Sequence, residues 1–278
     1  MRTTNPILKK EKFHKQKTNA SMMTIGGTIA KTFILLILLL TASVYSYVQM
    51  TQGTMKIPVL IGIIIVTLIV AFVVIFIPRI SPICAPIYAV LQGILLGSIS
   101  AYYTMRFGDS IVLTAVLLTI SILFAMLVLY AARIVKVTKK FRAVVTVATL
   151  GILIMYFIVF LLGILGVTVP YIHQGGTISI IISTIVIIVA ALDLLLDFDS
   201  IENGVHSGAP KYMEWYSAVG LMMTLVWLYL EILRLVSYII NWIYIDSYKC
   251  MSSAHTYKCN LPLYSVWEGL VMLKGSTL

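Results

Sequence analysis

Seven stretches of the chain stay apolar for about the twenty residues that a helix needs to cross a hydrocarbon core: 29–50, 57–77, 83–104, 111–133, 141–165, 175–198 and 217–240. What separates them is short and polar. The connectors read "TQGTMK", "PRISP", "MRFGDS", "IVKVTKK", a segment around "VPYIHQGG", and "IENGVHSGAPKYMEW", which hold the Gly, Pro and charged residues missing from the runs. This pattern predicts an all-α integral membrane protein, a seven-transmembrane-helix bundle. The first run is too long for a secretory signal and lacks a small-residue cleavage site. The chain then divides into a basic tail (1–28), a membrane domain (29–240) and a C-terminal tail (241–278). Trp215 and Tyr216 open the seventh window, and Tyr238, Trp242 and Tyr244 close it, as interfacial aromatic belts do. In the third window Gly93, Gly97 and Ala101 recur every fourth residue, a spacing that permits close approach of a neighbouring helix.

Composition agrees with a bilayer. Hydrophobic residues make up 60% of the chain and charged residues 11%, with a mean hydropathy of +1.03; soluble domains carry about 25% charged residues. The net charge of +10 would suit nucleic acid, but its distribution suits membrane orientation instead. Arg2, Lys9, Lys10, Lys12, Lys15, Lys17 and Lys31 precede or open the first window. Arg133, Lys136, Lys139, Lys140 and Arg142 lie between the fourth and fifth. With seven spans these groups share one face with Arg79 and Lys211, leaving Lys56 and Arg106 for the other loops. The positive-inside rule then puts the N-terminus in the cytoplasm of a multi-pass plasma-membrane protein, with the C-terminus outside. The basic tail can also attract anionic headgroups, at about 1 kcal/mol per charge near the surface. Of the three cysteines, Cys84 reads as a small buried apolar residue. Cys250 and Cys259 form a disulfide only in an oxidising compartment, and a tail without fixed fold is the simpler reading.

Candidate chemistry is confined to a few acids. The chain has ten Asp and Glu in all, and Asp193, Asp197, Asp199 and Glu202 fall together in "ALDLLLDFDSIENG" after a strongly apolar run. Asp193 and Asp197, four apart, share a helix face, where like charges repel unless a proton or cation intervenes. Asp199 and Glu202 read as solvated helix-end charges. Glu231 and Arg234, three apart in "VWLYLEILRLVSYII", can neutralise each other. Charges inside a span usually face the bundle interior and pair. Asp193 and Glu231 sit well inside apolar sequence, and two close buried carboxylates titrate as a unit. Such a pair makes a pH sensor, a proton relay or a hard-cation site with oxygen ligands for Ca²⁺. The four histidines are scattered at positions 14, 173, 206 and 255, no phosphate loop or nucleophile elbow occurs, and the Gly-x-Gly-Asp of intramembrane aspartyl proteases is absent. No enzymatic activity, resident cofactor or nucleic-acid partner is expected.

"LLLDFDSI" followed by "YLEILRLV" resembles the transmembrane Bax inhibitor motif family, and "GAPKYMEWYSAVGLMMTLVWLYLEILRL" looks like a bacterial branch of it. The likeness spans about residues 25–240. It implies a seven-helix bundle with the last helix near the centre, and a pH-sensitive calcium leak gated by an acidic pair on helices six and seven. Carried over by motif, the pair is Asp197 (four before Ile201) and Glu231 (in "YLEI"), which would meet Ca²⁺, with Arg79 of "IFIPRISP" as cationic partner. Glu231 stands where the family pattern has Asp, and Asp193 and Asp199 are extra acids that make the site more negative. An alternative role is that of an interaction protein regulating a membrane protease or stress pathway through a membrane-protein partner. A proton-coupled transporter would call for a repeat or a broken helix pair, and the sequence has no obvious one.

Overall fold

A computed structural model describes residues 22–166 and 176–252. Seven long helices follow one another: α1 (Ile25–Thr51), α2 (Ile57–Phe76), α3 (Ser81–Phe107), α4 (Ser110–Ala131), α5 (Lys139–Ile164), α6 (Thr177–His206) and α7 (Met213–Ser252). All seven are long and apolar enough to cross a membrane. A 3₁₀ turn, Pro78–Ile80, links α2 to α3. The described residues contain no strand, only an isolated antiparallel bridge between Met22 and Pro210.

Local chemistry sets the helix starts. Thr24 caps α1 by accepting the Gly27 N–H at 3.0 Å, and Thr138 caps α5 by accepting the Phe141 N–H at 3.2 Å. α2 and α3 each open with proline in the first turn, where its missing N–H costs nothing. Gly108, at φ 93°, reverses the chain between α3 and α4, a conformation side chains resist. Hydroxyls within the spans return to their own helix: Thr67 donates to the Ile63 carbonyl at 2.6 Å and Ser100 to that of Leu96 at 2.7 Å. No water competes for such groups in lipid, so they are satisfied internally.

α7 is the centre of the bundle. It packs against α1, α3, α4, α6 and the 3₁₀ turn. Its Met222, Leu228, Ile232 and Leu233 join Leu35, Ile111 and Leu194 in the core. α1 and α3 approach most closely, and the Gly93–Gly97–Ala101 row is the reason. A Cβ on Gly97 would sit 2.1 Å from the Ser43 carbonyl oxygen, and one on Gly93 would sit 2.4 Å from that of Leu39. Ser46 and Ser98 close the same seam, Oγ to Oγ at 2.7 Å. By contrast α2 fully buries only Thr67 and Val74, and α5 only Val145; most of their other apolar side chains are exposed, as a lipid solvent permits.

Two boundaries differ from the apolar windows. α6 continues past position 198 to His206, so the "IENGVH" that opens the expected connector is helix, and α7 runs from Met213 to Ser252, past position 240. Hydropathy marks where a helix is greasy, whereas backbone hydrogen bonding carries it on through polar residues into the interface. Cys84 is a half-buried free thiol beside the core. The Cys250–Cys259 pairing, the tail before position 22 and the chain beyond Ser252 lie outside the described residues.

Candidate functional site

The acids of α6 divide by the neighbour each one faces. Asp193 accepts from the Thr149 hydroxyl of α5 at 2.6 Å. Asp199 is in an ion pair with Arg142 at the start of α5 and also accepts from Asn203 at 2.8 Å. Glu202 accepts from the Tyr130 hydroxyl at the end of α4, with His206 3.7 Å away. Three of the four therefore tie α6 to its outer neighbours. Asp199 and Glu202 are partly exposed at the end of α6, as expected, and each in addition has a partner on a neighbouring helix. The same division separates Asp193 from Asp197: although one turn apart, they serve different helices.

Asp197 is the exception. It turns toward α7, where Thr224 faces its carboxyl. Its Oδ2 is sealed from solvent and has no hydrogen-bond partner among the described residues. An unpartnered carboxylate oxygen in a low-dielectric site is costly, so such groups in native proteins point to a missing proton, ion or water.

Glu231 has its own arrangement further along α7. It is 2% exposed. Its Oε1 accepts from the Tyr156 hydroxyl of α5 at 2.9 Å and from Arg234 Nη1 at 3.2 Å. Arg234 Nη1 also donates to the Tyr156 oxygen at 2.7 Å, and the guanidinium lies 5.0 Å from the Tyr156 ring centroid. The local Glu231–Arg234 pair expected from spacing is present, with Tyr156 as a third member. No hydrogen bond joins Asp197 to Glu231. From Thr224, which faces Asp197, to Glu231 is seven residues, about 10 Å of helix. Arg79 is exposed on the 3₁₀ turn and has no ion pair or hydrogen bond among the described residues.

Two cavities enter from opposite ends of the bundle. At the end that carries the start of α1, about 280 Å³ opens between α2, α6 and α7; Asp197, Ser200, Ser217 and Gly220 line it. At the other end, about 720 Å³ opens between α3, α5 and α7, with Tyr156 and Arg234 in its wall. Between them α7 runs from Met223 to Arg234, about 16 Å of helix. Leu225, Val226, Leu228, Tyr229, Glu231, Ile232 and Leu233 on it are all buried. Tyr229 fixes this segment to α3 through a 2.8 Å hydrogen bond with Ser100. The smaller cavity thus reaches Asp197 and the larger one Arg106 and Arg234, on either side of a packed plug. Among the described residues no three His, Cys, Asp or Glu gather closely enough to hold a metal ion.

A second buried ion pair lies outside the residues singled out from the sequence. Glu214, at the start of α7 and 1% exposed, pairs with Lys31 of α1. It also accepts from the Thr24 N–H at 2.9 Å and the Thr24 hydroxyl at 3.0 Å. Lys31 stands over the Trp215 ring, 5.4 Å from its centroid. The signal for it was a lysine inside an apolar window; for Tyr156 it was a lone phenol inside "LIMYFIVF".

No curated protein and no solved structure matches the chain. A family model described as Bax inhibitor 1 like matches residues 5–241. That match covers most of the chain: α1 to α6 entirely and α7 as far as position 241, with the carboxylate sites of both α6 and α7. The chain belongs to the Bax inhibitor 1 like family of multi-pass membrane proteins.

Proposed function

We propose that this protein is a pH-sensitive cation leak pathway of the plasma membrane, passing Ca²⁺ as its substrate, with its N-terminus in the cytoplasm. The observation that carries the reading is the Asp197 Oδ2, buried and unpartnered at the wall of the cavity on the basic face. A proton or a hard cation is the natural partner of such an oxygen, and the two compete for it. Membership of the Bax inhibitor 1 like family supports the same assignment. Asp193, Asp199 and Glu202 brace α6 so that Asp197 is presented to α7.

The step that opens the path is separation of the plug. Asp197 and Glu231 do not share a proton in this arrangement; they act at successive levels. A cation that reaches Asp197 still faces the packed residues from Leu225 to Leu233. It can pass only when α7 shifts against α5 and α6, carrying the Glu231–Arg234 pair away from Tyr156. The charge state of Asp197 biases α7 between the packed and shifted arrangements, in the manner of other protonation switches. Ca²⁺ flux into liposomes carrying the purified protein, measured across a pH series, tests this. Asp197→Asn is expected to flatten the pH dependence, and Glu231→Gln to change both flux and its pH profile. Unaltered flux and pH profile in both variants would overturn the assignment.

A further inference from the structure

We infer that the larger cavity, at the end of the bundle away from the start of α1, is a binding site for an anionic amphiphile: an oxyanion headgroup on a hydrocarbon tail. The site does not depend on the leak pathway being correctly assigned. Its volume of about 720 Å³ is that of a small-ligand pocket. Two arginines line it, Arg106 from α3 and Arg234 from α7, and among the described residues no Asp or Glu does. Glu231 neutralises Arg234 from behind, at Nη1. Arg106 has no ion pair among the described residues, its recorded hydrogen bond going from Nη1 to the neutral Tyr102 oxygen at 3.1 Å. A guanidinium presents a planar fork of donors suited to carboxylate or phosphate. The rest of the wall suits a tail, with Val159, Phe160 and Ile164 of α5 beside the same opening. A small inorganic anion would leave that apolar wall unused, and a neutral alkane would leave Arg106 without a counter-charge.

The ligand can come from two sources, a bilayer phospholipid with an anionic head or a free amphiphilic acid, and the experiment separates them. Laurate is titrated calorimetrically into the full-length protein in neutral detergent, with dodecyltrimethylammonium as a cation of the same tail length. One saturable laurate site is expected, with much weaker binding of the cation. Arg106→Gln should weaken laurate binding about tenfold, the effect of losing one charge-assisted contact. Lys56→Gln, which removes an exposed charge on the same face outside the cavity, should leave it unchanged. Gly163→Trp supplies a second variant, because Gly163 lines the cavity and a Cβ there meets nothing within 4 Å, so a bulky side chain starts from open space. It should abolish binding while the unfolding temperature holds. In nanodiscs, suppression of laurate binding by phosphatidylglycerol but not phosphatidylcholine identifies a lipid as the occupant. Equal binding in the two identifies a free acid. Laurate affinity unchanged by Arg106→Gln and Gly163→Trp, or matched by the cation, would overturn the site.

Discussion

Tyr156 shows how much a single side chain can hold in a bundle of this kind. Its hydroxyl donates to Glu231 and accepts from Arg234, so its removal leaves two ionic groups each short of a partner. Tyr156→Phe should cost about 1–3 kcal/mol, the usual penalty when a buried group loses its partner. Tyr102→Phe, which removes an exposed hydroxyl beside Arg106, should stay within about 0.5 kcal/mol. Unfolding midpoints in detergent compare the two, and equal shifts would contradict the Tyr156 assignment. At this scale the sequence was a partial guide. Spacing along one helix revealed Glu231–Arg234, because residues three apart are neighbours on any helix. It could not show that Asp193 turns to Thr149 while Asp197 turns to Thr224. Those choices depend on which helices flank α6, and that is a property of the assembled bundle. Of the partners, Tyr156 stands out as a phenol inside "LIMYFIVF" and Arg142 as a loop cation, but nothing in the local pattern of Tyr130 or Thr149 marks them, and none of the four names the acid it meets.

At the scale of elements, the seam between α1 and α3 was legible in advance and the ends of α6 and α7 were not. Small residues at four-residue intervals describe a flat helix face regardless of what lies against it, so Gly93, Gly97 and Ala101 could be read from one strand of text. The structure adds how tight the contact is: the obstacles to a Cβ at Gly97 are backbone atoms of Ser43, which cannot swing away. Gly97→Ala should therefore destabilise by about 1–3 kcal/mol, as overpacking does. Gly151→Ala on α5, where the new methyl meets nothing within 4 Å, should stabilise by about 0.5–1 kcal/mol through helix propensity alone. Opposite signs in thermal unfolding are the expected outcome; a fall in both would mean that glycine serves a purpose on α5 that this packing does not account for. Helix ends were misjudged because the polar residues of "DFDSIENG" find partners on α4 and α5, so α6 gains by remaining helical beyond its apolar run.

For the whole molecule, the arrangement is two openings and a plug. Their positions give a direct test of sidedness. With the native cysteines replaced, a membrane-impermeant maleimide should label Ser217→Cys from the face that carries the start of α1 and Asn241→Cys from the opposite face. Leu228→Cys, wholly buried between the cavities, should react from neither. Labelling of positions 217 and 241 from the same side would refute the two-ended arrangement. The count of spans and the basic bias of one face were available from hydropathy and charge. The cavities were not, since they are the spaces left where α2 and α5 stand off from a central α7, and no residue pattern encodes a gap.

The pairing of Lys31 with Glu214 has a consequence for how the chain is made. The lysine is synthesised 183 residues before its counter-ion. It enters the bilayer with the first helix and has no permanent partner while five more helices are inserted. Gly27 leaves the space that the Glu214 carboxylate will occupy, since any Cβ there would fall 2.4 Å from its Oε1. The first span is thus shaped around a group that the ribosome has yet to supply. Arrival of the seventh span completes it, so a chain cut short before position 214 carries an unmatched charge in its first membrane helix.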